Sequence, residues 1–409
     1  MTLDKYTNEL EKCAHCGFCQ AVCPSFLSDI SESRVARSRL MVIQAALLSK
    51  EIPMTKRVRE IIDQCLVCSR CSHTCPCEVP VDDIVMSARN ELVSLKKFEN
   101  PVQGIKKRLM NHAMERRGEG RFMDMAKMIS DKLDLRPKDT PLLAPRRFSE
   151  IYKGKHLPKG EIRHRVAYFT GCATNAIFPD TGDAVMKVLA ENGVHVTLPE
   201  GMACCGMPVL ANGDIETFRK WIGQNIGILS SLDVDAFITD CTTCLMAFSK
   251  KAKTFFDASD PLMASIKSVG EKFFEVTDYL NTIGLAGNLP RLEKTFTSHV
   301  PCHATSSDRL CEAPKRLLSQ VEGARYIEPE SSSGCCGAGG GFFMSHPALS
   351  ASIRSRQMEI LKNTGAEIIV TPCPSCRSYL GAGWLNSPQV IHPVTFLAMG
   401  YGFDILQDS

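Results

Sequence analysis

Eight of the twenty cysteines in this 409-residue chain fall into two copies of one spacing, and that spacing is a metal-ligand grammar. The first copy reads Cys13-x₂-Cys16-x₂-Cys19-x₃-Cys23-Pro24, and the second Cys65-x₂-Cys68-x₂-Cys71-x₃-Cys75-Pro76. Three thiolates so spaced hold three corners of a [4Fe–4S] cube, and in a doubled run the cysteine before proline ligates the other cluster. The expected ligand sets are therefore crossed. Cys13, Cys16, Cys19 and Cys75 belong to one cube, and Cys65, Cys68, Cys71 and Cys23 to the other. Structural zinc also uses Cys-x₂-Cys pairs, but it takes two pairs per ion. It gives no purpose to a third cysteine, a fixed fourth and a following proline.

A different cysteine pattern occupies the second half. Cys172, Cys204-Cys205-Gly206 and Cys241-x₂-Cys244 are followed by Cys302, Cys335-Cys336-Gly337 and Cys373-x₂-Cys376. The offset is about 130 residues, the length of a small domain. Flanking residues agree as well: 236–240 answer 368–372, and 276–280 answer 394–397. Five thiols gathered in each copy are one more than a tetrahedral zinc or a single cube uses. The glycine after each Cys-Cys pair frees the backbone to turn beside a bulky inorganic core. Zinc in one or both copies, and cysteines buried as small hydrophobes, are the alternatives.

These cysteines need elements to deliver them. Residues 166–170 form a short apolar run ending at Gly171-Cys172, which reads as a buried strand leading into a loop. Residues 180–192 place Ala184, Val185, Val188 and Leu189 on one helical face, with Gly193 as the stop. Asp214 opens a helix with Ile215, Phe218, Ile222 and Ile226 facing one way. Residues 236–239 then form a strand that delivers Cys241. In the second copy residues 296–300 lead to Cys302, a helix runs from Pro347 to Gly365, and residues 368–371 lead to Cys373. Alternating strands and helices predict a small parallel α/β unit in each copy. Cysteines just past the strands fall where open α/β sheets gather ligands.

Bulk properties narrow the class. The length implies two or three domains, and 44% hydrophobic with 23% charged residues is a globular composition. A formal charge of +3 gives no argument for nucleic acid or an acidic membrane surface. Residues 1–12 are polar and mixed in charge, unlike a secretory signal, and apolar stretches such as 40–43 and 45–48 are far too short to span a membrane. A reducing cytoplasm is the expected compartment, with any membrane association made through partners.

Taken together, a doubled cluster run followed by two Cys…Cys-Cys-Gly…Cys-x₂-Cys repeats resembles the iron–sulfur subunit of the glycolate and D-lactate (2-hydroxy-acid) dehydrogenase group. That group is similar to the iron–sulfur subunit of anaerobic glycerol-3-phosphate dehydrogenase and the catalytic subunit of heterodisulfide reductase. The resemblance covers nearly the whole chain. Cys13-Ala-His-Cys16-Gly-Phe-Cys19 and Cys335-Cys336-Gly337-Ala338-Gly339 with His346-Pro347 look most like the hydroxy-acid branch. It implies an α-helical ferredoxin domain with two [4Fe–4S] clusters over 1–99, which suits helical patterns at 34–48 and 79–92. A helical segment and linker would occupy 100–160, and two α/β cysteine-rich repeats 161–290 and 291–409. It also implies one or two further iron–sulfur clusters in the repeats, non-cubane [4Fe–4S] among the candidates, with zinc as the alternative. Glycolate-type members often have an incomplete closing Cys-x₂-Cys, whereas this chain keeps Cys241 with Cys244 and Cys373 with Cys376. That completeness resembles the heterodisulfide branch.

Clusters of this kind carry single electrons. The glycine-rich stretch 337–341 follows a Cys-Cys pair and not a strand, so it does not fit a dinucleotide fingerprint. Oxidation of a 2-hydroxy acid needs a flavin or nicotinamide. An FAD-containing dehydrogenase subunit is therefore the expected partner, with a quinone, an electron-transfer flavoprotein or a membrane subunit downstream. The alternative is a heterodisulfide reductase-like subunit that reduces a disulfide at one Cys-Cys-Gly site. His303 reads as a cluster neighbour or an ordinary loop histidine, and His15 as exposed. Cys77 and Cys311 read as leftover buried thiols. Lys106, Lys107, Arg108, Arg116 and Arg117 read as a solvated helix face, and Phe122, Met123, Met125, Met128 and Ile129 as helix packing. Residues 135–160, rich in Pro, Arg and Lys, read as the linker.

Overall fold

The computed structural model describes residues 3–94, 143–286, 290–381 and 388–405. The basic cluster at 106–117 and the apolar group at 122–129 lie outside the described residues. Contacts divide the chain into two compact units. One comprises described residues of Met1–Leu109 with Gly206–Lys220 and Gly334–Gln357, and the other takes the remainder.

In the first unit the described residues up to Ser94 form helical segments, with no strand among them. Ala36–Ile43 is an α-helix that continues as a π-helical turn over Gln44–Leu48. The Lys56–Asp63 helix starts where Thr55 Oγ1 accepts the Val58 amide at 3.2 Å, an N-cap that satisfies one orphan donor. The Val81–Ser94 helix buries Ile84, Val85, Met86 and Ala88. Gly334–Gln357 packs onto these helices: Arg356 donates to Leu27 O at 3.3 Å, and Gly339 lies against Leu66.

The second unit holds two sheets. The first contains β1 (Gly154–His156), β2 (His164–Tyr168), β3 (Val194–Leu198), β4 (Ala236–Thr239) and β5 (Phe273–Glu275), in the order β1-β3-β2-β4-β5. The second contains β6 (Thr295–Ser298), β7 (Arg325–Tyr326), β8 (Ile368–Val370) and β9 (Gln389–Ile391), in the order β7-β6-β8-β9. With β2 matched to β6, the parallel order β3-β2-β4-β5 equals β7-β6-β8-β9, so the cysteine repeat is also a repeat of topology. Every residue of β4 and β8 is buried, as expected of central parallel strands covered on both faces. Helices Val276–Ile283 and Pro393–Gly400 follow β5 and β9, which explains why residues 276–280 and 394–397 look alike. A single hydrophobic core runs through both sheets, with Val166 and Ile238 of the first joined to Phe296 and Val370 of the second.

The predicted strands at 166–170, 236–239, 296–300 and 368–371 and the helix at 180–192 match β2, β4, β6, β8 and Pro179–Glu191 closely. The linker reading of 135–160 is corrected over its described part. Phe148–Ile151 is helical, and β1 adds an antiparallel edge strand, with Gly154 opposite Leu198. Phe148 explains the difference, since it is 2% exposed and belongs to the core.

Phe148 is seated against a glycine. A β-carbon on Gly182, inside the Pro179–Glu191 helix, would lie 2.4 Å from the Phe148 ring. Helix propensity favours alanine by about 1 kcal/mol, whereas overpacking costs roughly 1–3 kcal/mol. Gly182→Ala is therefore expected to lower stability in chemical unfolding. A stabilised variant would show that the ring relaxes freely.

Candidate iron–sulfur centres

The two N-terminal runs share an unusual backbone. His15 and Gly17 in the first, and Val67 and Ser69 at the matching places of the second, have positive φ angles of 52°, 88°, 47° and 59°. Left-handed backbone is costly for a β-branched residue such as Val67. It turns successive amides into a concave nest of the kind that receives anionic clusters. One such amide, Val67 N–H, already donates to Cys65 Sγ at 3.4 Å. Each run continues as a short helix, Phe18–Val22 and Arg70–Thr74, and the two helices pack together. Each helix ends at its Cys-Pro, where Cys23 (ψ 111°) and Cys75 (ψ 117°) are extended because the residue before proline is driven out of the α region.

The sulfurs surround empty space. Cys13, Cys16, Cys19 and Cys75 line a cavity of about 30 Å³. Cys23, Cys65, Cys68 and Cys71 line another of about 20 Å³. Cys71, Ala36 and Val81 line both, so single side chains separate the two spaces. Cys77 also lines the first cavity, as do His15 and Phe18.

The second cavity is the more buried. Burial pushes the Cys23 thiol up, and the Arg39 guanidinium opposes it. Burial, with Cys68, Cys65 and Cys23 as neighbours, pushes Cys71 well up. Cys68 is raised by its hydrogen bond with Cys335 and then by burial. Arg39 is 1% exposed and donates to Ile61 O at 3.0 Å and Gln64 O at 2.8 Å. Arg89, also buried, donates to Ala211 O at 2.5 Å, Cys65 O at 2.6 Å, Asp63 O at 3.0 Å and Ile62 O at 3.1 Å.

In the repeats the cysteines stand where the strands end. Past β2, Cys172 opens a short helix, and its sulfur lies 3.9 Å from Cys204 Sγ. Past β4, Cys241 precedes the Thr242–Met246 helix that carries Cys244, and past β8 Cys373 precedes the Pro374–Gly381 helix that carries Cys376. The thiols form a chain: Cys205 with Cys244, Cys244 with Cys241, Cys241 with Cys373, and Cys373 with Cys376. Hydrogen bonds from Cys241 and Cys376 pull the Cys373 thiol well down, while the bond to Cys205 pushes Cys244 well up. His303 Nδ1 meets Thr243 Oγ1 at 3.0 Å, and that hydroxyl meets Cys373 Sγ at 3.7 Å. Of the second repeat's five cysteines, Cys302, Cys373 and Cys376 belong to the second compact unit, and Cys335 and Cys336 to the first. Asp240, adjoining Cys241, is buried and accepts from Tyr168 at 2.9 Å and from Thr174. Burial raises its carboxyl pKa.

This donor set fits iron–sulfur clusters. Crowded thiolates need cationic charge from a soft metal. Among the described residues no three His, Cys, Asp or Glu side chains converge on one ion position. The sulfurs ring voids instead, which suits a polynuclear core.

Sequence reasoning missed Arg39, Arg89 and Thr243, and it put Cys77 aside. The arginines carried no motif, and only their place on otherwise apolar helix faces could have marked them. Also unforeseen is a cavity of about 550 Å³ past the ends of β2 and β3, lined by Arg147, Tyr152, Lys153, Tyr168 and Met202.

Comparison with known proteins agrees with the donor set. Residues 9–79 match the 4Fe-4S dicluster domain, and residues 166–249 and 296–381 match the cysteine-rich domain. The probable glycolate oxidase iron–sulfur subunit of Bacillus subtilis is 26% identical, over 90% of this chain and 87% of its own length. The glycolate oxidase iron–sulfur subunit of Escherichia coli is 25% identical, over 92% of this chain and 91% of its own. A crystal structure of a hypothetical protein from Helicobacter pylori shares the fold, with a TM-score of 0.57 and 12% identity over 99% of this chain and 77% of that one.

The two cavities set up a test of ligand crossing. Cys75→Ser is expected to remove the EPR signal of the centre lined by Cys13, Cys16 and Cys19, and to spare the one lined by Cys65 and Cys68. Loss of the Cys65-side signal instead would show that each run closes on itself.

Proposed function

We propose that this chain, a member of the group that joins a 4Fe-4S dicluster domain to two cysteine-rich domains, is the iron–sulfur electron-transfer subunit of an FAD-dependent 2-hydroxy-acid dehydrogenase complex. A flavoprotein partner oxidises D-lactate or glycolate, and this chain takes the electrons singly. It passes them to a quinone, an electron-transfer flavoprotein or another carrier. The observation that carries the reading is the pair of cysteine-lined cavities that share Cys71 as a common wall. Bound clusters supply reversible one-electron chemistry there. The resemblance to glycolate oxidase iron–sulfur subunits over nine-tenths of the chain supports the substrate class.

In this reading residues 1–99 form an α-helical ferredoxin domain and the repeats hold further clusters. Cys13, Cys16, Cys19 and Cys75 hold one cube, and Cys65, Cys68, Cys71 and Cys23 the other. Cys172, Cys204, Cys205, Cys241 and Cys244 serve the first repeat, and Cys302, Cys335, Cys336, Cys373 and Cys376 the second. The chain's own part is to hold the sulfurs apart, keep water from the inner cavity and place charged groups beside the thiolates. No helix among the described residues is long and apolar enough to cross a membrane. The complex works in the cytoplasm and reaches a membrane, where it does so, through a partner.

Protein purified without oxygen is expected to carry about sixteen irons if all four sites fill, and about eight if the repeats stay empty or take zinc. It should show no turnover alone, and its clusters should be reduced by the 2-hydroxy acid only when the flavoprotein partner is added. Disulfide reduction by the isolated chain with a viologen donor would overturn the reading.

A further inference from the structure

The Ala36–Ile43 helix carries two arginines two residues apart, Arg37 and Arg39. Such a spacing turns their side chains about 200° from one another around the helix. Ala36, on the same helix, lines both cysteine cavities, so the helix runs between them. Arg37 lines the cavity of Cys13, Cys16 and Cys19, and its Nη1 donates to His15 O at 3.2 Å. Arg39 lines the cavity of Cys23, Cys65 and Cys68, and its Nη1 lies 3.9 Å from Cys23 Sγ.

Their charges are managed differently. Arg37 is 28% exposed and paired with Glu32 at 2.6 Å, so water and a carboxylate already neutralise most of its field. Arg39 is 1% exposed and held by the carbonyls of Ile61 and Gln64, which orient the guanidinium without cancelling its charge. A guanidinium stays protonated in proteins, so its charge is constant through a redox cycle. Asp82 lines the same cavity with its oxygens bound by Ser69 and Ser72, and it offsets part of the field. It is unaffected by a change at Arg39, so the sign of Arg39's influence stands.

We propose that Arg39 is a potential-setting residue for the Cys23–Cys65–Cys68–Cys71 cluster alone, reaching it through Cys23, and that Arg37 has little influence on the Cys13-side cluster. This rests on the iron–sulfur reading and on crossed ligation. Reduction adds one electron to the cluster, making it more negative, with no bond formed or broken at the protein. A fixed buried cation beside a ligand sulfur favours that more negative form and raises the potential. The same arrangement implies that the first run's fourth cysteine carries tuning information to the second run's cluster.

The test is an EPR-monitored redox titration of the full chain, prepared without oxygen. Two resolved centres and their iron content check the underlying reading, independently of any variant. Arg39→Gln is expected to lower the reduced-to-oxidised ratio of the Cys65-side centre at fixed potential by about tenfold, or ~59 mV for a one-electron couple. The Cys13-side centre should not move. Arg39→Lys keeps the charge and should stay within about threefold of the wild type, and so should Arg37→Gln on its own centre, a shift under ~30 mV. Equal shifts of both centres, or an unmoved Cys65-side centre, would overturn the proposal. If Arg39→Gln does not fold, wild-type protein grown with ¹⁵N-arginine gives a second reading. Pulsed EPR should then detect a nitrogen coupled to the Cys65-side centre that identically labelled Arg39→Lys lacks, since Arg89 and Arg70 are labelled in both. The absence of that difference would equally overturn the inference.

Discussion

Thiolates repel one another, and a chain that buries several within touching distance is stable only when something strongly positive sits among them. That constraint organises the described structure. Cys71 is pushed up by burial and then by three neighbouring sulfurs, and Cys244 by Cys205 and Cys241. Buried Arg39 opposes part of the same rise at Cys23 in the inner N-terminal cavity, and the amide of left-handed Val67 donates to Cys65 Sγ. An inorganic core supplies the rest, which is why these segments fold around voids and not into a tight apolar core.

The repeats solve the same problem with a different scaffold. Parallel strands lead into cysteines, and short helices begin at or just beyond them. Cys172, Cys241 and Cys244 therefore stand past the strands of the first sheet, and Cys373 and Cys376 past those of the second. The two copies were not left as independent beads. They share one hydrophobic core, and the Thr242 amide donates to Pro372 O at 3.1 Å, tying the closing Cys-x₂-Cys of one copy to that of the other. Cys241 and Cys373 consequently bond to each other, a contact that treats the matched motifs as one assembly.

Much of this was readable from residues. Cysteine spacing is a direct record of ligand geometry, and the strands before Cys172, Cys241 and Cys373 are short β-rich apolar runs that buried parallel sheets require. Other parts were opaque for physical reasons. Residues 154–156, Gly-Lys-His, carry no strand signal, and β1 exists only because β3 offers an open edge. β7 is two residues long, too short for any period to show. Arg39 and Arg89 stand on otherwise apolar helix faces, which hints at burial and says nothing of what they bind. Their roles come from carbonyls supplied by segments about 20 to 120 residues away, which no local pattern encodes.

The first compact unit has a consequence for how the molecule is made. The walls of its Cys65-side cavity come from residues between Cys23 and Asp82, and Gly334–Gln357 gives two of them a late cover, Gly339 against Leu66 and Cys335 bonded to Cys68. A ribosome releases the N-terminal run long before it reaches that cover, at some 5–20 residues per second. For most of translation Leu66 and Cys68 therefore stand without their late partners, although the residues that line both cavities are already made. Clusters loaded by the cell's assembly machinery on a nascent chain would meet the Cys65-side cover only after the second cysteine-rich repeat has begun to emerge.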